Sequence, residues 1–105
     1  MSTSKTGRLS GKRVLITGTG GGQGEVAQRL FASEGASVIG CDLKSGAAER
    51  TAEELRKEGF DVFGSTVDLT DPEQSAAWVR DGAASMGGLD VLYNNASGFG
   101  FAPFS

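Results

Sequence analysis

The chain contains no histidine and only one cysteine, Cys41, among its 105 residues. One cysteine cannot form an intrachain disulfide, and without histidine neither a Cys/His metal site nor a Cys–His nucleophilic pair can be assembled. We interpret Cys41 as a small apolar residue at the end of a strand in a cytoplasmic, reducing environment. These two counts therefore exclude several common kinds of metal and catalytic site.

The sequence also lacks an excess of positive charge and any long apolar segment. Its net charge is −3, so nucleic acid is not an expected partner. No apolar run approaches the length that spans a membrane, and residues 1–12 have no apolar segment like that of a secretory signal. We therefore expect one globular domain over residues 1–105 that does not bind membranes.

Four short apolar segments alternate with three helix-like segments. The predicted strands are 13–17, 37–41, 60–66 and 89–94, and the predicted helices are 22–34, 47–58 and 71–86. This alternation predicts an α/β fold with a parallel sheet, right-handed crossovers and the strand order 3-2-1-4. The apolar triplets 14–16 and 91–93 are typical of strands that are buried on both faces.

Each predicted helix carries a feature that the structure can test. In the first helix, the apolar stripe is expected to contain Val26, Ala27, Leu30 and Phe31. In the second helix, it is expected to contain Ala48, Ala52 and Leu55. The third helix should begin with an Asp71 cap, Pro72 at the first position and a capping box closed by Gln74.

The glycine-rich segment 17–24 follows the first strand and precedes the first helix. It satisfies T-G-x-x-x-G-x-G through Thr17, Gly18, Gly22 and Gly24. Glycines there leave backbone N–H groups at a helix start free to face a phosphate, with no Cβ between them. A P-loop is excluded because no Gly-Lys-Ser/Thr follows. The segment therefore predicts a dinucleotide site.

Asp42 ends the second strand, 24 residues after Gly18. In a dinucleotide fold, a carboxylate here accepts hydrogen bonds from both hydroxyls of the adenosine ribose and repels a 2′-phosphate. Leu43 stands where a basic residue would favour NADP, although Lys44 is close by. We therefore favour NAD over NADP as the cofactor. The alternative interpretation of Asp42 is a cap of the following helix.

Two further strand ends carry candidate cofactor contacts. The Asp68 carboxylate could accept a hydrogen bond from the adenine N6 amino group, while the Leu69 N–H donates one to the adenine ring. An aspartate before a turn is, however, common. The fourth strand ends at Asn94, where asparagine side chains could tie neighbouring strand ends together. By themselves two asparagines would more often indicate a turn.

Taken together, these motifs resemble the short-chain dehydrogenase/reductase family over residues 11–98, which implies a Rossmann-type fold. The resemblance implies that the glycine turn surrounds the pyrophosphate, that the end of the second strand contacts the ribose and that Asp68-Leu69 contacts the adenine. It also implies that Asn95 and Ala96 lie toward the nicotinamide. The cofactor-binding set is Thr17, Gly18, Gly22, Gln23, Gly24, Asp42, Leu43, Asp68, Leu69, Asn95 and Ala96.

The chain departs from the family pattern at three places. Gln23 replaces a branched apolar residue, and Ser97 replaces the glycine of N-N-A-G. The family's catalytic Ser, Tyr-x-x-x-Lys and later Asn have no counterpart here, and Tyr93 does not begin such a motif. No catalytic residue is therefore assigned. We expect a truncated, cofactor-binding half of an NAD-dependent oxidoreductase that acts on a small-molecule substrate.

Two other functions remain open from the sequence. The chain could be a stand-alone nucleotide-binding or regulatory module, or a structural subunit that associates through the open edge of its sheet. The aromatic residues of the segment 99–105 could lie near the nicotinamide and substrate, or could belong to a flexible end. Residues 1–10 are a second candidate flexible end.

Overall fold

The computed structural model describes residues 8–95, which form a parallel sheet between two layers of helices. The elements are β1 Arg13–Thr17, α1 Gly22–Ser33, β2 Ser37–Asp42, α2 Ala47–Lys57, β3 Val62–Thr66, α3 Pro72–Met86 and β4 Val91–Asn94. The strand order is β3-β2-β1-β4 and all pairings are parallel, which confirms the predicted fold class and order. The predictions for residues 1–7, for Ala96 and Ser97, and for the segment 99–105 lie outside the described residues.

β1 lies at the centre of the fold because it pairs with β2 on one side and with β4 on the other. Its residues Val14, Leu15 and Ile16 are completely buried. Successive side chains of a strand point to opposite faces of the sheet. Val14 and Ile16 accordingly join the core cluster that contains Leu55 of α2, whereas Leu15 joins a separate cluster that contains Trp78 of α3.

The predicted apolar stripe of α1 is half right: Phe31 is partly buried and packs against the core, and Ala27 is partly buried, but Val26 and Leu30 are exposed. Val26 and Leu30 are 69% and 59% exposed, whereas the helix buries Gly24, Gln28 and Ala32. These three buried residues are spaced four apart, so they lie on one face of the helix. Small side chains at Gly24 and Ala32 allow α1 to approach the sheet and the glycine turn closely. Close approach, rather than the size of the apolar side chains, therefore decides which face is buried.

The corresponding prediction for α2 is confirmed, since Ala48, Ala52 and Leu55 are all buried.

The prediction that β4 is buried on both faces is wrong, because Tyr93 is 39% exposed and no residue of this strand is fully buried. Among the described residues β4 pairs with β1 alone and is the edge strand of the sheet that they form. Within the same range no helix has the length and apolar character needed to cross a membrane.

α3 begins as predicted at Asp71, whose Oδ1 accepts hydrogen bonds from the N–H groups of Glu73 at 3.0 Å and Gln74 at 3.4 Å. The capping box differs from the prediction. The Gln74 side-chain oxygen accepts a hydrogen bond from the N–H of Asp68 at 3.0 Å rather than from Asp71. This contact ties the start of α3 to the chain that leaves β3.

An ion pair between Arg13 and Asp90 connects β1 to the start of β4 at the amino edge of the sheet, opposite the glycine turn. The Asp90 carboxylate lies 2.9 Å from Nε of Arg13 and accepts a hydrogen bond from the Arg13 backbone N–H at 2.8 Å. The same guanidinium donates to the carbonyl of Gly87, just after α3. The Arg13 side chain and backbone lower the pKa of Asp90 from its ordinary value of 3.8 to about 2.

This depressed pKa predicts a pH-dependent contribution to stability. A carboxylate whose pKa is lower in the folded state stabilises the fold above its unfolded pKa and loses this effect as the pH falls through its folded pKa. The melting temperature of the wild-type chain should therefore exceed that of Asp90→Asn at pH 7. The two temperatures should converge between pH 3.8 and about pH 2 in thermal melts. A constant difference down to pH 2 would contradict this assignment.

Candidate functional site

The turn between β1 and α1 is held on the carboxyl end of β2. The N–H groups of Gly18 and Thr19 both donate to the carbonyl of Cys41, at 2.7 and 3.0 Å. Gly18 has a φ of 76° and Gly22 a φ of 59°, which is the left-handed region that residues with a Cβ rarely adopt. Two of the motif's glycines are therefore required by the backbone of the turn itself.

Gly24 is required for a different reason, which is close approach. A Cβ placed on Gly24 would lie 1.7 Å from the carbonyl oxygen of Gly18. The first turn of α1 thus packs directly against the start of the glycine turn. The spacing Gly18–Gly24 in the sequence motif reflects this backbone contact.

The N-terminus of α1 is open toward the solvent. Gly21 is the N-cap residue and provides no side-chain cap. In the described part of the chain, a Cβ built on Gly21 or on Gly22 would meet no atom within 4 Å apart from the adjoining residues and the backbone of α1 itself. The N–H groups at the start of a helix and the helix dipole favour an anion at such a position. The glycines therefore leave the start of α1 accessible to an anionic group.

Asp42 lies beside this turn at the end of β2. Its Oδ2 accepts a hydrogen bond from the N–H of Gly20 at 2.9 Å, and its Oδ1 accepts one from the N–H of Lys44 at 3.0 Å. The residue is partly exposed, and Leu43 next to it is 57% exposed. Each carboxylate oxygen can accept a further hydrogen bond. The carboxylate is therefore fixed in place while it keeps capacity for hydroxyl donors.

Asp68 follows β3 at the same edge of the sheet as Asp42. β3 pairs with β2, and the N–H of Val67 donates to the carbonyl of Asp42 at 3.0 Å. One carboxylate oxygen of Asp68 accepts from the backbone and the hydroxyl of Thr70 at 3.0 and 2.6 Å. The side chain of Leu69 is buried in the core. Asp68 thus stands in an ordered turn at the same edge of the sheet as Asp42.

The end of β4 completes the carboxyl edge. The Thr17 hydroxyl donates to the Asn94 side-chain oxygen at 2.8 Å, which ties the ends of β1 and β4 together as the asparagine pattern suggested. The amide nitrogen of Asn95 lies 3.5 Å from the Gly18 carbonyl, at the long limit for a hydrogen bond. Gln23 is exposed on the first turn of α1, and Ala96 lies beyond the described residues.

Cys41 is fully buried, which confirms its interpretation as a core residue at a strand end. Burial raises the pKa of its thiol to about 12. At neutral pH the side chain is therefore a protonated thiol and a poor nucleophile. Its backbone carbonyl, rather than its sulfur, contributes to the site by holding Gly18 and Thr19.

Beneath the turn lies a group of buried polar residues that the sequence did not predict, Thr19, Gln28 and Thr51. Thr19 occupies a variable position of the glycine motif, and Gln28 lies in a helix whose apolar face was assigned elsewhere. The four-residue spacing of Gln28 from Gly24 and Ala32 is the signal that could have revealed its burial.

A parallel sheet of this order, with an open glycine turn after β1 and a carboxylate at the end of β2, defines a Rossmann-type nucleotide-binding fold. The sequence of residues 12–105 matches the family model described as short chain dehydrogenase. The chain therefore belongs to the short-chain dehydrogenase family.

Relatives from bacteria and fungi support this membership. The chain is 36% identical over 104 residues to 7alpha-hydroxysteroid dehydrogenase of Escherichia coli strain K12. The aligned region covers 99% of this chain but 41% of that enzyme. It is 40% identical over 89 residues to the short chain dehydrogenase/reductase dpchG of Colletotrichum higginsianum, and the aligned region covers 85% of this chain and 33% of that relative. The chain thus spans well under half the length of these relatives.

Solved structures show the same fold. A 7alpha-hydroxysteroid dehydrogenase in complex with NADH and 7-oxo glycochenodeoxycholic acid matches with a TM-score of 0.82 and 33% identity, over 93% of this chain and 38% of that one. A 3-ketoacyl-(acyl-carrier-protein) reductase of Brucella melitensis in complex with NADH matches with a TM-score of 0.73 and 34% identity, over 80% of this chain and 33% of that one.

Proposed function

We propose that this chain is the cofactor-binding half of an NAD-dependent short-chain oxidoreductase. The reaction would move a hydride between the nicotinamide and the hydroxyl- or carbonyl-bearing carbon of a small substrate. The observation that carries the proposal is the Asp42 carboxylate held 2.9 Å from the Gly20 N–H, beside the open N-terminus of α1. Relatives of this fold that hold NADH support it.

The geometry supports NAD rather than NADP. Both Asp42 oxygens are held by backbone N–H groups, so the carboxylate cannot swing away without breaking these bonds. A 2′-phosphate next to it would place like charges together, which disfavours NADP. The side chain of Leu43 offers no positive charge that would offset this repulsion.

The roles of the individual residues follow from their places along the carboxyl edge. The glycine turn would surround the diphosphate, with the N–H groups at the start of α1 facing it, and Asp42 with Leu43 would contact the ribose. Asp68 and Leu69 would contact the adenine, and Asn95 would lie toward the nicotinamide. Bound NAD would supply the hydride acceptor, while these residues bind and orient it.

The described residues contain no assigned general acid or base. Tyr93 packs edge-on against Phe31 of α1, with ring centroids 5.9 Å apart, and precedes the carboxyl end of β4. This packing supports leaving it out of the proton transfer. A small-molecule substrate, self-association through the sheet edge and a cytoplasmic location stay predictions.

Calorimetric titration of the chain with NADH and with NADPH tests the cofactor proposal. We expect NADH to bind at least about tenfold more tightly, because juxtaposed like charges are disfavoured by several kcal/mol. The preference should shrink as salt is added, since Asp42 is partly exposed and its field is screened. Equal affinities, or no heat of NADH binding at millimolar concentration, would contradict the proposal.

A further inference from the structure

Beneath the glycine turn lies a buried polar layer formed by Thr19, Gln28 and Thr51. Thr19 and Gln28 are completely buried, and Thr51 is 6% exposed. Each residue comes from a different element: the turn, α1 and α2. None of them has a place in the proposed contacts with the cofactor, so their burial at this position requires its own explanation.

The Thr51 hydroxyl is the junction of the layer. Its oxygen lies 2.9 Å from the carbonyl of Thr19 and 3.1 Å from that of Ala48, and it accepts a hydrogen bond from Nε2 of Gln28 at 3.4 Å. Because a hydroxyl has one proton, it donates to one of the two carbonyls at a time, and the Thr19 contact is the shorter. One side chain of α2 therefore reaches both the turn and α1.

Thr19 is also fixed from the side of β2. Its N–H donates to the carbonyl of Cys41 at 3.0 Å. Its side chain fills the space left by Gly40, where an added Cβ would lie 2.3 Å from the Thr19 hydroxyl oxygen. The backbone and side chain of Thr19 are thus held by β2 while its carbonyl is held by α2.

The layer is not the arrangement that stability alone would favour. Within the described residues, the Thr19 hydroxyl oxygen and the Gln28 side-chain oxygen are buried without a hydrogen-bond partner. Burying such groups unpaired is unfavourable, and apolar residues of similar shape would avoid the penalty. Buried polar groups in native structures usually have partners, so the exceptions call for an explanation.

The residues on either side of Thr19 indicate which part of the site depends on the polar layer. Gly18 and Gly20, on either side of Thr19, donate their N–H groups to the Cys41 carbonyl and the Asp42 carboxylate. A shift of Thr19 would move both amides and the path of the chain into α1. Binding is tighter when a site is already held in its bound geometry.

We propose that Thr51, which holds the Thr19 carbonyl, and Gln28, which contacts the Thr51 hydroxyl, are positioning residues that preset the path of the glycine turn into α1, whose first N–H groups would face a diphosphate. This inference rests on the proposed function for the identity of the ligand, NAD. Thr51 lies on α2, which begins five residues after Asp42. Its contact with the turn therefore links the part of the site that would hold the diphosphate to the part that would hold the ribose.

Thr51→Val tests the inference because valine keeps the shape of threonine but removes the hydroxyl. Without cofactor, hydrogen exchange of the Gly18, Thr19 and Gly20 amides should become about tenfold faster, whereas that of Val38 in β2 stays unchanged. The NADH dissociation constant should rise about tenfold. Thr51→Ser keeps the hydroxyl and should restore both quantities to within about threefold of wild type.

Asp90→Asn is the matched control, because it weakens the fold at the opposite edge. It should lower the melting temperature without a selective change in exchange at the turn. If Thr51→Val accelerates all amides alike, or leaves turn exchange unchanged, the positioning role is overturned. If the turn loosens selectively but wild type binds no NADH, the positioning inference stands and the proposed function fails.

Discussion

Gly24→Ala is expected to destabilise the chain by about 3 kcal/mol, the upper end of the usual range for over-packed sites. The added methyl group would lie 1.7 Å from the Gly18 carbonyl oxygen, which is backbone and cannot turn aside as a side chain would. α1 must therefore move away from the turn. The melting temperature should fall by roughly 12–24 °C, and calorimetry should detect no NADH binding.

Whether Gly24→Ala lowers or raises the stability depends on two opposing contributions, the helix propensity of alanine and the clash of its methyl group. Alanine within a helix is normally more favourable than glycine, by about 0.5–1 kcal/mol. The clash with the Gly18 carbonyl outweighs this gain, so the net change should be a loss of stability. Gly21→Ala is the control for stability: Gly21 has an extended φ of 168°, and in the described region the added Cβ would meet no atom within 4 Å apart from the adjoining residues. A stabilised Gly24→Ala protein would contradict the close contact between α1 and the turn.

Asp42→Asn is expected to weaken NADH binding by about 10- to 100-fold. Hydrogen bonds to a charged group contribute about 1.5–3 kcal/mol, and each 1.4 kcal/mol corresponds to about tenfold in affinity. The variant also removes the negative charge that opposes a 2′-phosphate. The ratio of NADPH to NADH dissociation constants should therefore approach one in parallel titrations.

Asparagine is the informative replacement because Asp42 also holds the backbone of Gly20 and Lys44. Alanine would release the turn and remove the ribose contact together, whereas asparagine retains an acceptor. Asp61→Asn changes the net charge equally at the amino edge, where Asp61 accepts a hydrogen bond from Ser37, and serves as the control. Unchanged NADH affinity in Asp42→Asn would remove the argument for a ribose contact.

Much of the fold could be predicted because local signals agree with the tertiary structure. The predicted bounds of β1 are those observed, and Asp71-Pro72 begins α3 as its capping chemistry indicates. The glycine motif is informative because Gly18 and Gly22 need a backbone conformation that other residues disfavour. Element ends were less well predicted: β3 begins at Val62 rather than at residue 60.

The rest depends on contacts that the sequence does not display. Val26 and Leu30 misled the assignment of the buried face of α1, because the tight approach of Gly24 to the turn decides the orientation of the helix. The polar layer escaped prediction since Thr51 meets the Thr19 carbonyl across 32 residues of chain. A buried glutamine such as Gln28 reads as a surface residue until its partners are known.

An NADH titration of the isotope-labelled chain, followed through its backbone amide resonances, tests most directly whether the glycine turn and Asp42 form the dinucleotide site. If they do, the largest shifts should occur between Gly18 and Gly24 and at Asp42, and they should saturate with a single dissociation constant. Amides at the amino edge, such as Arg13 and Asp90, should hardly move. Saturating shifts centred on that edge or on α3, with the turn unaffected, would contradict it.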